Sequence, residues 1–385
     1  MMIIEGLLQA IEKRKEEFLR FWEELCCIES QTCDKAGVDA AGEYIRRYAA
    51  SRGWKTEVFP QEISGDVTVV TMNPGSAGKS VVFSGHLDTV HPKGLFGCPP
   101  VRTDREADRI YGPGVTDCKG GVVASVLAMT ALDNLGFTGR PVKLILQTDE
   151  EVSSRYSGKG TVRQMCASAA DAAAFLNTEG CKTGKAVLWR KGISRYRFEV
   201  TGRAAHSSQC YNGVSAIREA AYKIAELEKY KDPDGMTCSC GMISGGTAEN
   251  TVPEKCTFTA DIRFADARQM ADGDRITNEI AAKQFVPGSS CTVTLASRRV
   301  AMTKESRNFD LLEKMNGIYR AYGLPELEAA GSTGGSDAAD VTCAGIPCID
   351  SLGVAGGGIH SAREYARISS LAESAARLAA VAASL

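Results

Sequence analysis

Acidic residues and a histidine follow short apolar or glycine-containing runs in the first half of the chain. In chain order they are His86 and Asp88 after Val81 to Phe83, Asp117 after Gly112-Pro113-Gly114, Glu150 and Glu151 after Val142 to Leu146, and Glu179 after Ala172 to Leu176. Carboxylates together with imidazole are ligands that suit zinc or manganese. Like charges gathered in one place also repel one another unless cations neutralise them. The spacing therefore predicts a metal site of carboxylate and histidine ligands, without the cysteine ligands of a structural zinc site.

Each of these segments has an ordinary structural interpretation when it is taken alone. His86 and Asp88 can form a surface or capping pair, Asp117 can be a helix N-cap, and Glu150 with Glu151 can be a solvated charge run. The metal interpretation depends on the fact that four successive segments of the chain all end in residues that can bind metal. Asp88 also lies two residues beyond His86, on the same side of an extended chain, where its side chain can hold the imidazole of a ligand.

The apolar runs before these residues predict the elements that position them. The runs Val81 to Phe83, Val142 to Leu146 and Ala172 to Leu176 are solid, and a helical stretch from Gly121 to Leu135 separates the first two. Solid strands that alternate with helices indicate a parallel sheet buried on both faces. Open α/β sheets place their sites at the carboxyl ends of such strands, which is where the acids and the histidine fall.

The pattern changes between about Val187 and Ser297. The predicted elements there are a strand (Ser194 to Val200), a helix (Val214 to Tyr230), two strands (Thr237 to Ile243 and Lys255 to Phe264), a helix (Arg268 to Phe285) and a strand (Cys291 to Ala296). This β-α-β-β-α-β order is that of a ferredoxin-like unit. A helix, a glycine-rich loop, an apolar strand and a final helix follow it. We therefore predict an α/β protein whose mostly parallel-sheet catalytic domain, residues 1–186 and 299–385, is interrupted by an inserted βαββαβ domain, residues 187–298.

Composition limits the class of protein. The 385 residues include 45 lysines and arginines against 47 aspartates and glutamates, a balance that argues against a nucleic-acid partner. No window approaches the ~18 consecutive apolar residues of a membrane span. The N-terminal segment lacks the pattern of a secretory signal, and its apolar spacing at Leu7, Ile11, Phe18 and Trp22 predicts an amphipathic helix. We expect a cytoplasmic enzyme without a membrane partner, whose 14 cysteines are reduced and mostly buried.

Several motifs along the chain resemble those of one family. They are Gly85-His86-Leu87-Asp88, Asp117-Cys118-Lys119-Gly120-Gly121, Thr148-Asp149-Glu150-Glu151, Gly202-Arg203-Ala204-Ala205-His206-Ser207, Gly334-Gly335-Ser336-Asp337 and Gly356-Gly357-Gly358-Ile359-His360. In this order and spacing they are similar to the motifs of the two-zinc exopeptidases and deacylases, over nearly the whole chain. That family includes glutamate carboxypeptidase, acetylornithine deacetylase, succinyl-diaminopimelate desuccinylase and aminoacylase. The last two segments are most similar to the glutamate carboxypeptidase branch.

The resemblance implies two zinc ions per subunit, with cobalt or manganese as substitutes. The ligands would be His86 and Glu179 at one ion, Glu151 and His360 at the other, and Asp117 as a bridge between them. Glu150 would be the general base that activates a water molecule, and Asp88 would support the ligands without binding metal. The family also has a cis peptide bond after its bridging aspartate, here between Asp117 and Cys118.

The resemblance further implies residues of the inserted domain that meet the substrate. That domain would be a lid and dimerisation domain, and His206 would stabilise the oxyanion in the neighbouring subunit of a homodimer. Arg263, assisted by Asn250, would bind a substrate carboxylate. From the residues alone, the alternation within Lys255 to Phe264 places Arg263 on the non-core face of its strand, where its planar fork suits a carboxylate.

Simpler interpretations of these positions stay open. His206 is also compatible with an exposed turn, and Arg263 with a cross-strand pair to an acid. Gly357 and Gly358 let backbone amides approach a ligand closely, although they also fit a flexible turn. His91, three residues beyond Asp88, is expected at the surface.

The function expected from these residues and from the resemblance is metal-assisted amide hydrolysis. The substrate would be a peptide or N-acyl amino acid with a free carboxylate, as for glutamate carboxypeptidase. An alternative within the same chemistry is a deacetylase- or desuccinylase-like deacylase. An alternative of another class is a non-catalytic dimer module that has lost its metals, which the intact ligand positions disfavour.

Overall fold

The computed structural model describes residues 2–385, with side chains from residue 6 onward. The chain divides into two compact units, which are described separately. The first unit covers the chain up to Leu188 together with Lys304–Gly331 and Ser336–Leu385, and the second covers Trp189–Thr303 with Ser332–Gly335. The predicted boundaries of the inserted domain were 187 and 298, whereas the second unit begins at Trp189, extends to Thr303 and includes Ser332–Gly335, which was expected in the catalytic domain.

The part of the chain that the structure describes contains nine α-helices and sixteen β-strands. The helices are α1 (Met2–Cys27), α2 (Lys35–Ser51), α3 (Lys119–Asn134), α4 (Gly160–Ser168), α5 (Ala216–Leu227), α6 (Ala267–Ala282), α7 (Ser306–Ala321), α8 (Ala338–Cys343) and α9 (Ser369–Ser384). The strands are β1 (Lys55–Phe59), β2 (Val67–Met72), β3 (Ser80–His86), β4 (Arg102–Asp104), β5 (Arg109–Tyr111), β6 (Val142–Gln147), β7 (Ala172–Asn177), β8 (Lys185–Arg190), β9 (Gly192–Thr201), β10 (Thr237–Gly245), β11 (Lys255–Phe264), β12 (Ser290–Arg299), β13 (Glu328–Ser332), β14 (Cys348–Ile349), β15 (Gly356–Gly357) and β16 (Tyr365–Arg367).

A six-stranded sheet organises the first unit, in the order β1-β2-β6-β3-β7-β14. Strand β3 runs parallel to β6 and β7, and β14 runs parallel to β7, whereas β1 and β2 are antiparallel additions. Every residue of β3 is buried, as solid apolar strands at the centre of a parallel sheet should be. The predicted α/β class with a mostly parallel sheet is confirmed.

Helices α1, α3 and α9 pack against one another in the same unit. Helix α3 is buried over nearly its whole length. Lys119, its first residue, is itself fully buried, and its ammonium donates a hydrogen bond to the carbonyl of Ile28 at 2.7 Å. This carbonyl lies one residue beyond the end of α1, where a cation stabilises the carbonyl end of a helix.

A small sheet, in the order β15-β16-β5-β4, joins the C-terminal part of the chain to the region before α3. Its central pairing sets Tyr365 of β16 opposite Tyr111 of β5. At Gly356 a Cβ atom would lie 2.2 Å from the carbonyl oxygen of Tyr365, so only glycine allows this approach. The pairing places the loop between β15 and β16 beside the loop that follows β5.

The second unit contains an antiparallel sheet in the order β10-β11-β9-β12. Its elements follow one another as β9-α5-β10-β11-α6-β12, the predicted sequence of strands and helices. Phe198 and Phe258 stack at 4.5 Å in the core of this unit. The function of this unit as a lid and dimerisation domain stays a prediction.

A buried ion pair on α5 links this helix to the end of α6 in the second unit. Lys223 and Glu219, one turn apart on α5, are each only 1% exposed, and their charged atoms lie 3.0 Å apart. Lys223 donates to the carbonyls of Ile280 and Lys283 at the end of α6. Glu219 accepts the backbone N–H of Val286 at 2.6 Å. The pair therefore satisfies backbone groups where α6 ends.

The fourteen cysteines are all free thiols. Five are buried and five are exposed, so the expectation that most of them are buried apolar residues is wrong. No described helix is long and apolar enough to cross a membrane.

Candidate metal centre

Three neighbouring parallel strands bring the predicted ligands of the first unit to one edge of the sheet. His86 is the last residue of β3 and lies opposite Gln147, the last residue of β6. Ser84 of β3 lies opposite Asn177, which ends β7. The segments that follow β6 and β7, with Glu151 and Glu179, therefore begin beside His86.

Asp117 lies between two imidazoles. Its Oδ1 atom is 3.1 Å from Nε2 of His86, and its Oδ2 atom is 3.2 Å from Nε2 of His360. Nε2 of His360 is also 3.1 Å from a carboxylate oxygen of Glu151, and Nε2 of His86 is 3.6 Å from one of Glu179. One carboxylate thus faces both histidines, and each histidine faces one further acid.

The donor set of this cluster fits metal ions. Ligand atoms of His86, Asp117 and Glu151 lie within 4.8 Å of one another. Carboxylate oxygens and imidazole nitrogens are the ligands of catalytic zinc. The imidazole of His360 is 55% exposed, so the cluster is open to solvent on that side.

The ring orientation of His86 is fixed by the backbone of Asp88. Nδ1 of His86 donates to the carbonyl oxygen of Asp88 at 2.9 Å, whereas the nearer carboxylate oxygen of Asp88 is 3.5 Å away. The predicted contact of the Asp88 carboxylate with this imidazole is therefore present at 3.5 Å, and the carbonyl of the same residue makes the shorter contact. The hydrogen bond leaves the Nε2 lone pair facing Asp117 and available to a metal.

The Asp88 carboxylate has a different role. It is fully buried and accepts the hydroxyl of Thr32 at 2.8 Å. It also accepts the backbone N–H groups of Glu150 and Glu151, each at 3.2 Å. These two residues begin a single 3-10 turn, Glu150–Val152. Asp88 therefore anchors the turn that carries the predicted base and one predicted ligand.

The electrostatics of the cluster reflect several acids in one buried place. Burial raises the pKa of Glu151 to about 8 and also raises the pKa of Glu179. Burial acts in the same direction on Asp117, but hydrogen bonds from His360 and His86 outweigh it and hold the pKa of Asp117 well below its usual range. Hydrogen bonds to Asp117 and Glu151 raise the pKa of His360 to about 10. In the metal-free cluster, bound protons thus neutralise part of the negative charge of the carboxylates. Bound metal cations would do the same in place of the protons.

Comparisons with known proteins show the family of the chain. The family model described as Peptidase family M20/M25/M40 matches residues 82–384. The chain belongs to this family. It is therefore a metallopeptidase or related amidohydrolase.

The M20 chain is similar to curated enzymes and to solved structures. Carboxypeptidase G2 of Pseudomonas sp. (strain RS-16) is 28% identical over 373 residues, which are 95% of this chain and 88% of that enzyme. Acetylornithine deacetylase of Pasteurella multocida (strain Pm70) is 28% identical over 258 residues, 64% of this chain and 65% of that enzyme. A tripeptidase structure from Staphylococcus aureus superposes with a TM-score of 0.79 at 20% identity, covering 96% of this chain and 98% of that one.

Two residues of the M20 chain that sequence reasoning missed or misplaced lie behind Asp117. Glu364 is fully buried and accepts the backbone N–H groups of Thr116 at 2.8 Å and Asp117 at 3.0 Å. Nε2 of His91 donates to Glu364 at 2.6 Å. His91 is only 4% exposed, so its predicted surface position is wrong. The only sequence signal was an acid four residues beyond the ligand candidate His360.

Cys118 lies directly beside the cluster. The structure gives it a cis peptide bond to Asp117, as the resemblance implied. Its sulfur accepts the backbone N–H of His86 at 3.3 Å, and ligand atoms of His86, Cys118 and Glu179 lie within 4.8 Å of one another. Burial raises the pKa of this thiol well above its usual value, which favours its neutral form.

Gly357 and Gly358 precede His360 in the loop between β15 and β16. Gly358 has a φ of 68°, and a Cβ atom there would lie 2.5 Å from the carbonyl oxygen of Arg363. Its glycine is therefore explained by the turn itself. A contact of these two backbone amides with a ligand stays a prediction.

His206 and Asn250 belong to the second unit. His206 is exposed, and its Nδ1 accepts the backbone N–H of Ser208 at 3.3 Å. The carbonyl of Asn250 accepts the backbone N–H of Ser207 at 2.9 Å. The chain segments around His206 and Asn250 are therefore joined, which gives the His206 loop a defined backbone.

Arg263 lies on the non-core side of β11, as the alternation predicted, since Ile262 and Phe264 are buried. Its guanidinium donates to both carboxylate oxygens of Asp261 and to the carbonyl of Thr333 at 3.1 Å. Asp261 is an acid on the same strand, not a cross-strand partner. The guanidinium is therefore already oriented, and its carboxylate-binding function stays a prediction.

Proposed function

We propose that the chain is a zinc-dependent, glutamate carboxypeptidase-like hydrolase that cleaves an amide bond next to a free carboxylate. The observation that carries this proposal is the position of Asp117, which presents one oxygen to His86 and the other to His360. A carboxylate in that position would suit a site for two metal ions, as in paired hydrolytic sites. His86 with Glu179 would hold one zinc ion, and Glu151 with His360 the other.

Zinc bound at these ligands would supply an activated water and would polarise the scissile carbonyl. Glu150 would accept a proton from the attacking water and deliver it to the leaving nitrogen, which is the task of a positioned acid–base group. Its backbone is held by Asp88. The turn Glu150–Val152 also carries Glu151, so the backbones of the proposed base and of a proposed ligand are held by the same carboxylate.

His206 would stabilise the oxyanion from the partner subunit of a homodimer. Nδ1 of His206 lies 2.8 Å from the hydroxyl oxygen of Ser208 and 3.3 Å from its backbone nitrogen. With Nδ1 as the acceptor of both groups, the neutral ring would carry its proton on Nε2. That N–H is the donor that a developing oxyanion requires. The interaction with Ser208 thus supports a donor role for His206, whichever subunit it serves.

Arg263 would bind the substrate carboxylate with the help of Asn250. Hydrogen bonds to Asp261 and Thr333 orient its guanidinium before substrate arrives, which lowers the entropy cost of binding. The backbone amides of Gly357 and Gly358 would face the substrate beside His360.

The test is a hydrolysis screen of purified protein loaded with zinc. Its substrates are dipeptides ending in glutamate or aspartate, N-acetyl and N-succinyl amino acids, and the matching C-terminal amides. Preference for the free-carboxylate dipeptides supports the proposal, whereas preference for N-acyl amino acids makes the chain a deacylase like the similar acetylornithine deacetylase. Elemental analysis accompanies the screen; protein that binds no zinc and cleaves nothing would contradict the proposal and favour the non-catalytic alternative.

A further inference from the structure

We propose that Glu364, assisted by His91, is a positioning residue that holds Asp117 in place and thereby sets the metal affinity of the site. This inference depends on the proposed function only in that the cluster binds zinc. It concerns residues outside the proposed ligand set. Glu364 touches neither metal nor substrate in this proposal and acts through Asp117.

The loop before α3 is held from one side by a single carboxylate. One oxygen of Glu364 accepts the N–H groups of Thr116 at 2.8 Å and Asp117 at 3.0 Å, and the other accepts the N–H of Gly114 at 3.2 Å. Three backbone donors from four residues converge on one buried side chain. The backbone of Asp117 is therefore fixed at its own N–H group.

His91 completes the set of donors. Its Nε2 donates to the same oxygen of Glu364 that accepts the N–H of Gly114, so each carboxylate oxygen receives two hydrogen bonds. The imidazole is buried and meets the ring of Phe96 edge-on at 5.0 Å. The buried negative charge of Glu364 is thus fully surrounded by donors, as a buried charge requires.

The neighbouring contacts tie the same two segments together. The hydroxyl of Thr116 donates to the carbonyl of Tyr365 at 2.6 Å. Glu364 follows His360 by four residues, so the segment that carries the second histidine also fixes the bridging aspartate. A displacement of Glu364 is expected to disturb Asp117 and His360 together, which are two of the three proposed ligands of one ion.

Replacement of Glu364 by glutamine tests the hydrogen bonds of this carboxylate specifically. It retains the shape of the side chain but offers only one acceptor oxygen. Its NH₂ group would face two N–H donors of the loop or the donors Gly114 and His91, and donor against donor cannot form a hydrogen bond. We therefore expect the loop around Asp117 to shift in Glu364→Gln although the overall fold is kept.

The experiment measures zinc affinity by competition with a chromophoric chelator, for the full-length chain and its variants. Glu364→Gln is expected to weaken zinc binding about 10–100-fold, the usual effect of losing a residue that orients a ligand. Glu313→Gln is the matched control, because Glu313 is exposed on α7 and should leave affinity unchanged. Melting curves at saturating zinc report whether each variant is folded.

A second pair of variants tests His91 by the same assay. His91→Gln retains an N–H donor and should keep most of the zinc affinity, whereas His91→Phe removes the donor and should lose part of it. Equal zinc affinity in wild type, Glu364→Gln and His91→Phe would overturn the inference. If Glu364→Gln does not fold, the two His91 variants decide, and equal affinity between them overturns it. Absence of zinc binding by the wild type would instead contradict the proposed function.

Discussion

The Oδ1 atom of Asp88 accepts a hydrogen bond from the backbone N–H of Glu150 at 3.2 Å. Its other oxygen accepts the N–H of Glu151 at the same distance, and its carbonyl accepts the ring N–H of His86 at 2.9 Å. One buried residue therefore orients a proposed base and two proposed ligands. The geometry of the proposed reaction depends on Asp88 although Asp88 reaches none of the reacting atoms.

Glu150→Gln should keep zinc and fold but lose turnover. A positioned acid–base group typically contributes ~10²–10⁴-fold, and Glu150 is proposed to act on both the water and the leaving nitrogen. Steady-state kinetics give the loss in kcat, and elemental analysis verifies that zinc is retained. A variant with kcat near that of wild type would remove Glu150 from the mechanism.

Zinc should stabilise the protein more at alkaline than at acid pH. In the metal-free fold the pKa of Glu151 is raised to about 8 and that of His360 to about 10, against 4.5 and 6.5 in the unfolded chain. The stability that these bound protons contribute is fully present below the unfolded pKa values and is lost as the pH rises through the folded ones. Zinc bound by Glu151 and His360 would replace these protons, so its stabilising effect should be larger where the protons are lost.

Melting temperatures with and without zinc at about pH 6 and about pH 9 check this expectation. The metal-free protein should melt lower at the higher pH, and the increase caused by zinc should be larger there. An increase that is equal or larger at the lower pH contradicts the proton-for-zinc exchange. A surface variant such as Glu313→Gln should show the same pH dependence as wild type.

Arg263→Lys should weaken binding of substrates that carry a free carboxylate. The ammonium cannot reproduce the planar fork, and a hydrogen bond to a charged group contributes about 1.5–3 kcal/mol, so KM should rise about 10–100-fold. The measurement compares each substrate with its C-terminal amide. An equal loss on the amides would mean that Arg263 serves only its contacts with Asp261 and Thr333.

If His206 acts across a dimer, activity should return when two inactive variants form mixed dimers. Glu150→Ala and His206→Asn chains are each expected to be nearly inactive, whereas a mixed dimer has one site with both intact residues. Random pairing in a two-fold dimer makes about half of the dimers mixed, so roughly a quarter of native activity should return after co-refolding. Mixed dimers that are verified by mass analysis and remain inactive would exclude action across the dimer. A monomer in light scattering would exclude it sooner.

Lys223→Met should destabilise the second unit. The change leaves Glu219 buried without its partner and the last carbonyls of α6 without a donor, and breaking a buried pair in this way costs about 3–5 kcal/mol. Urea unfolding measures the loss. Lys229→Met is the matched control, because Lys229 is 65% exposed and should change stability little. Similar stabilities for the two variants would contradict the fastening role of the pair.

The strands that end at the site could be predicted from sequence because their signal is local. Each of β3, β6 and β7 is a solid apolar run, and each delivers its acid or histidine within a few residues of its end. Helix α2 was not predicted, although its buried residues Val38, Ala41, Ile45 and Ala49 have helical spacing. The sequence signal for this helix is therefore present, and periodicity alone could have revealed it.

The hydrogen bonds of Glu364 and His91 that hold the backbone of Asp117 could not be predicted in the same way. His91 and Glu364 are 273 residues apart, and their contact depends on the pairing of β5 with β16. Strands of three residues carry too few side chains to show a period of two. The atom that accepts the ring hydrogen bond of His86 could not be predicted from side-chain spacing either. The backbone carbonyl of Asp88 lies closer to the ring than the carboxylate of the same residue.

The pairing of β5 with β16 also determines when the candidate metal centre can form during translation. Residues 86–179 leave the ribosome before the second unit is made, whereas His360 and Glu364 leave after it. Chains fold from the N-terminal side as they are synthesised, and contacts between distant segments form late. A nascent chain that already has its second unit still lacks the proposed ligand His360 and also Glu364, the carboxylate proposed to hold Asp117. Translation must therefore pass residue 364 before the enzyme can act, so prematurely terminated chains are expected to be released without peptidase activity.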